Sequence, residues 1–140
     1  MNLRLFLSIL FIYIGTYSYT QQLKLDKGPE DYQLFARDKN DKATVLFSGS
    51  VTDDAKFNEL RLKVYKDGVL YDNKSVKIEN REFKFSSIIQ AGLFQYRFEL
   101  YHQIESVEKL SFIADNVVCG DAYIITGQSN SHASSNKSSY

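Results

Sequence analysis

The chain has 140 residues, the size of one domain. Its 17 Lys and Arg balance its 17 Asp and Glu, leaving no excess positive charge to displace counterions from phosphates, which argues against nucleic-acid binding. With 10 Tyr, 10 Phe and a single Cys, the composition argues against wholesale disorder, allows no internal disulfide and no cysteine-built zinc cage, and favours a β-rich globular domain.

Arg4 gives the N-terminus a positive start, Leu5 to Ile14 is an apolar run interrupted only by Ser8, and Gly15 to Thr20 is small and polar apart from Tyr17 and Tyr19. This three-part layout predicts a secretory signal peptide over residues 1–20, cleaved near 18–20. The apolar run is half the roughly 20 residues that a membrane helix needs. An uncleaved anchor is the alternative. Arg4 is the one charged residue in this segment, so the remainder carries 16 positive and 17 negative groups. The mature chain is therefore expected to be exported, to the periplasm, the cell surface or the medium, with no stable membrane span. In an oxidising compartment Cys119 reads as a buried small hydrophobe, with an intermolecular disulfide as the alternative.

From Tyr32 onward the apolar period is two. Val45, Phe47, Gly49 and Val51 share a face, opposite Thr44, Ser48 and Ser50. Leu60, Leu62 and Val64 alternate with Arg61, Lys63 and Tyr65, Phe83 and Phe85 flank Lys84, and Phe94, Tyr96, Phe98 and Leu100 alternate with Gln95, Arg97 and Glu99. Such alternation marks antiparallel sheet with one face in a core and one in water. Asp67-Gly68 supplies the positive φ of a tight hairpin. Asn40-Asp41, Thr52-Asp53-Asp54, Asn80 and Ala91-Gly92 punctuate the rest. Six or seven short strands at this spacing predict an antiparallel, Ig-like β-sandwich over residues 21–114. Within it, His102 stands alone on a Tyr-His turn, a setting in which histidine is structural or solvated. Asn73-Lys74-Ser75 matches a glycosylation acceptor pattern. Arg61, Lys63, Arg97 and Glu99 form a solvated outer face, or a surface for a polymer.

Near residue 115 the alternation stops. Ala122 to Ile125 is a continuous apolar run, which suits a strand covered on both faces, as in a parallel sheet. Gly127 ends it, and Ser129, Asn130 and Ser131 are all good helix N-caps. Strand, turn, serine and helix start would present a hydroxyl at the carboxyl edge of a parallel sheet, where α/β folds bind ligands. A backbone N–H at the helix start can stabilise an oxyanion. The alternative is a plain turn, since Gly, Asn and Ser dominate turns.

Gly120-Asp121-Ala122-Tyr123 followed by Gly127-Gln128-Ser129-Asn130 resembles the first block of the SGNH-hydrolase carbohydrate esterases, the sialate O-acetylesterase-like group. The resemblance implies Ser129 as nucleophile, its N–H as an oxyanion donor, and Gly127, Gln128 and Asn130 as shapers of the turn and pocket. It further implies a substrate, an O-acetylated carbohydrate, and a chemistry that needs no metal and no organic cofactor. In that group the base is a His from an Asp-x-x-His motif far downstream, and none follows Ser129 here; His132, three residues on, is the nearby imidazole. Residues 115–140 are accordingly expected to be the start of an incomplete α/β SGNH hydrolase domain, and the chain alone is expected to be inactive. A non-catalytic exported β-sandwich used for binding is the rival expectation.

Overall fold

The computed structural model describes residues 22–123. The signal-peptide segment and Gly127, Gln128, Ser129, Asn130 and His132 lie outside the described residues. The described chain forms eight strands: β1 (Leu23–Lys27), β2 (Leu34–Ala36), β3 (Lys42–Val51), β4 (Glu59–Lys66), β5 (Val69–Lys77), β6 (Glu82–Gln90), β7 (Tyr96–Ile104) and β8 (Val107–Gly120). They make two sheets, ordered β1-β3-β6 and β2-β8-β7-β4-β5.

The alternation in β3 and β4 builds the space between these sheets. Val45, Phe47 and Val51 from β3 point inward together with Phe83 and Ile89 from β6. They meet Leu60, Leu62 and Val64 from β4, Phe98 and Leu100 from β7, and Ala114, Val117 and Cys119 from β8. Phe47 sits at the centre. Its ring stacks on Phe85 within its own sheet at 5.0 Å and tilts against Phe98 of the other sheet at 5.7 Å. Burial of this apolar set is the main stabilising term of the fold.

Turn chemistry sets the hairpins. Asp67 and Gly68, at φ of 50° and 80°, join β4 to β5 in a two-residue loop, the conformation that suits the twist of paired strands. Asn80-Arg81 and Glu105-Ser106 do the same for β5–β6 and β7–β8, again with both residues at positive φ. Glycine is indispensable at Gly49. A Cβ there would lie 2.1 Å from the Lys24 carbonyl oxygen and 2.6 Å from the Phe83 ring, where β1 places Leu25 opposite Gly49 beside an irregularity in the ladder.

Three expectations are corrected. The sheet is not wholly antiparallel, because β2 pairs parallel to β8 through Leu34↔Val118, Phe35↔Cys119 and Ala36↔Gly120. Pro29, which has no N–H for a ladder, follows β1, and the chain crosses there to the second sheet. The break near residue 115 is a bulge inside one strand. Phe98 pairs with Ala114 but Tyr96 pairs with Val117, and Asn116 takes φ of 54°, a left-handed conformation that asparagine tolerates. The bulge shifts the inward positions from Ala114 to Val117 and Cys119, so β8 stays in the sandwich to Gly120, past the boundary expected at residue 114. Ala122 and Tyr123, expected in a buried strand, are exposed and belong to no strand, for β2 stops pairing at Gly120.

The ends of the described chain lie far apart. Leu23 opens β1 beside Val51, the last residue of β3. Gly120 closes β8 near the first residues of β3, where the Gly92 N–H donates to the Cys119 carbonyl and the Ala91 N–H to that of Asp41. The chain thus enters at one pole of the sandwich and leaves at the other.

Candidate functional site

The exit pole is assembled from four segments. Arg37 follows β2, and its N–H donates to the Gly120 carbonyl at 3.1 Å. Its guanidinium then grips the outgoing chain: Nε donates to both carboxylate oxygens of Asp121, at 3.0 and 2.9 Å, Nη2 lies 2.8 Å from Oδ2, and Nη1 pairs with Asp41. The Asp121 carboxyl is held below its ordinary range first by the Arg37 hydrogen bond, and Arg37 is held firmly protonated by Asp121 and then Asp41. Asp38 fixes the adjoining turn, accepting from the N–H groups of Asn40 and Lys42 at 2.8 and 3.0 Å. These bonds to the anion hold its pKa down.

Beside this clamp runs an open groove lined by Leu34, Leu93, Phe94 and Gln95. Leu93 is wholly exposed at 104% on the β6–β7 loop. That loop is tied at both ends. The Ala91 N–H donates to Asp41, and Gln95 exchanges two bonds with Asp67, from Asp67 N–H to the Gln95 carbonyl and from Gln95 N–H to Asp67 Oδ1, each at 2.9 Å. Lys66 Nζ lies 3.5 Å over the Phe94 ring, a cation–π contact. Exposed Val69 and Leu70 follow on the hairpin that Asp67 ties to this loop, and Tyr123 stands 83% exposed where the chain leaves. Apolar side chains are therefore displayed at this pole on a hydrogen-bonded frame.

The outer face of the five-stranded sheet is different. Arg61 and Lys63 both reach Glu108, at 2.8 and 2.7 Å. Arg97 bridges Glu99 and Asp115, each at 2.7 Å. Burial pushes the Glu99 carboxyl up, but bonds from Tyr101 and Arg97 outweigh it and hold the pKa below the ordinary value. The Tyr101 hydroxyl donates to Glu99 at 2.6 Å and is pushed up to about 12, chiefly by that bond. Arg61, Lys63, Arg97 and Glu99, read from the sequence as an outer face, are brought together here with their charges mutually compensated.

His102 is not on a turn but within β7. Its ring stacks on Phe57 at 4.4 Å, and Nδ1 lies 2.5 Å from Ser111 Oγ. Among the described residues no carboxylate is hydrogen-bonded to this imidazole, whose Nδ1 faces Ser111 Oγ. Burial first, and Lys109 second, lower the His102 pKa below 6.5. The folded state therefore prefers neutral imidazole, and the unfolded chain takes the proton first as pH falls. The stability that His102 contributes is complete above pH 6.5 and is lost as pH falls from 6.5 toward the folded pKa. Urea denaturation between pH 7.5 and 5 is expected to show this fall in wild type and a flatter profile in His102→Gln.

Cys119 is buried and its thiol is pushed up first by that burial, so it packs as a small hydrophobe. Asn73 lies exposed on β5. Among the described residues no three His, Cys, Asp or Glu side chains converge as metal ligands, and no helix is long and apolar enough to cross a membrane. The apolar pole escaped the sequence pattern, because Leu34, Val69 and Leu93 are far apart in the chain and only the fold unites them.

No family model matches the chain, and no curated protein matches it. Among solved structures, extracellular domains 3–5 of Drosophila OTK align with 71% of this chain and 36% of that one, at 18% identity and a TM-score of 0.38. The chain spans about a third of the length of that structure, and a likeness of this size carries no functional argument.

Proposed function

We infer that this chain is a non-catalytic, exported β-sandwich module that acts by contact. The observation that carries this reading is the exit pole, where Leu34, Val69, Leu70, Leu93 and Tyr123 are exposed on a hydrogen-bonded frame. A frame that holds apolar side chains in water is a feature of interaction surfaces. The outer-face cations, in contrast, are occupied by Glu108, Glu99 and Asp115. The three- and five-stranded sheets, with β3 and β6 followed by strands of the other sheet, support an Ig-like arrangement. Export rests on the layout of residues 1–20.

A second reading is favoured by one observation. Gly120-Asp121, the start of the esterase-like block, emerges from the end of β8 with Asp121 gripped by Arg37, and Gly127-Gln128-Ser129-Asn130 comes a few residues on. In this reading the sandwich supports an SGNH-type carbohydrate esterase. Ser129 Oγ would attack the acetyl carbonyl of an O-acetylated sugar, the sugar hydroxyl would leave, and water would release acetate from the acyl-serine. Attack requires an adjacent base.

Turnover of p-nitrophenyl acetate separates the two. The purified chain is expected to show none above buffer. Hydrolysis that disappears in Ser129→Ala would overturn the contact-module reading. The genomic sequence beyond the Tyr140 codon bears on the same choice, since an Asp-x-x-His continuation supports the esterase. N-terminal sequencing of exported material is expected to begin near residues 19–21, whereas an intact Met1 on membrane-bound protein would refute the signal peptide.

A further inference from the structure

We propose that the free edge of β6 is a pairing surface that the chain keeps shut against a second copy of itself, with Lys74 and Tyr96 standing where the backbone of another strand would stand. The proposal goes beyond the contact-module reading and is tested apart from it.

Among the described residues β6 is the last strand of the three-stranded sheet. In an antiparallel ladder, alternate residues turn their N–H and C=O toward opposite neighbours. The Ala91 N–H donates to the Asp41 carbonyl, and the Arg81 carbonyl accepts from the Val51 N–H, so the odd-numbered positions of β6 serve β3. Glu82, Lys84, Ser86, Ile88 and Gln90 therefore turn their backbone groups to the free edge. Such a row is a template for another strand. Every second position in it is closed. Glu82 exchanges two bonds with Glu79, at 2.8 and 3.0 Å. Lys74 Nζ, which pairs with Asp72 at 2.8 Å, also donates to the Ser86 carbonyl at 2.9 Å. The buried Tyr96 crosses from β7 in the other sheet, and its hydroxyl accepts from the Gln90 N–H at 3.0 Å and donates to the Gln90 carbonyl at 3.2 Å.

The closed positions lie four residues apart, about 13 Å. Lys84 and Ile88 stand between them with neither backbone group bonded among the described residues. A strand that pairs with both must also meet Ser86. The register singles out a second copy as the strand excluded. With Ser86 on a two-fold axis, Lys84 of one copy faces Ile88 of the other, so open positions meet open positions and Glu82 meets Gln90, the self-complementary contact of a symmetric dimer.

Sedimentation of the mature chain over a range of concentrations, with hydrogen exchange read by mass spectrometry, tests the proposal. Wild type is expected to show no association through residues 84–88. Lys74→Ala combined with Tyr96→Phe frees two carbonyls and one N–H. It is expected to self-associate at least about tenfold more tightly, the worth of one or two hydrogen bonds, with the amides of residues 84–88 protected as the dimer forms. Lys74→Arg combined with Tyr96→Phe keeps a donor for Ser86 and is expected to associate less. The Lys74→Ala, Tyr96→Phe chain decides if it melts cooperatively. If it does not, Lys74→Ala alone, a change at a part-exposed side chain, decides. A deciding variant as monomeric as wild type would overturn the proposal. So would association that protects other residues instead, or a wild type already paired through residues 84–88.

Discussion

Phe47→Ala is expected to lower the unfolding free energy by about 3–5 kcal/mol, the usual effect of emptying a buried phenylalanine site. The ring is fully buried and touches Phe85, Phe98 and Phe112, which come from both sheets. Removing it strips contacts from both layers at one point, and ladders closed by backbone bonds leave the sheets little freedom to collapse into the space. A domain of this size has a total stability of about 5–15 kcal/mol, so the variant loses a large part of it. Urea denaturation of wild type and variant measures the difference. A change below about 1 kcal/mol would mean that the two sheets do not share this core.

Gly49→Ala is expected to cost about 1–3 kcal/mol or more, for the opposite reason. A Cβ at this position meets the Lys24 carbonyl oxygen at 2.1 Å, and backbone cannot rotate aside as a side chain can. Either β1 shifts away from β3, or the ladder Leu23↔Val51 to Leu25↔Gly49 breaks. Thermal unfolding reads the loss as a melting temperature lower by about 4–8 °C per kcal/mol. Faster hydrogen exchange in β1, with β4 and β7 unchanged, would locate it. A variant as stable as wild type would show that the Lys24 carbonyl does not approach Gly49 this closely.

The sandwich was legible where the backbone need left a mark on composition. The inward residues of β3 and β4 alternate, and Asp67-Gly68 announces its hairpin. Glu105-Ser106 makes the same kind of turn with two residues at positive φ, yet neither residue type advertises that conformation. The strand β2 is three residues long and only partly buried, and its parallel pairing with β8 joins positions 84 apart, so no local period reveals it. Asn116 obscured the pattern most. One residue in the left-handed region moved the buried positions of β8 out of phase, and a change of phase in one strand looks like a change of domain. The proposed nucleophile Ser129 came from a local motif, which sequence can carry. The apolar pole is drawn from β2, the start of β5, the β6–β7 loop and the residues after β8, far apart in the chain, which sequence cannot carry.

The opposite placement of entry and exit has a mechanical consequence. Leu23 and Gly120 lie at opposite ends of β3, whose ten residues at about 3.3 Å each span on the order of 30 Å. A pull on these two points runs along the strands, so the bonds joining β1 to β3 and β2 to β8 would be sheared together instead of unzipped in turn. The described sandwich would thus meet a pull on its two ends as a shear load along its strands.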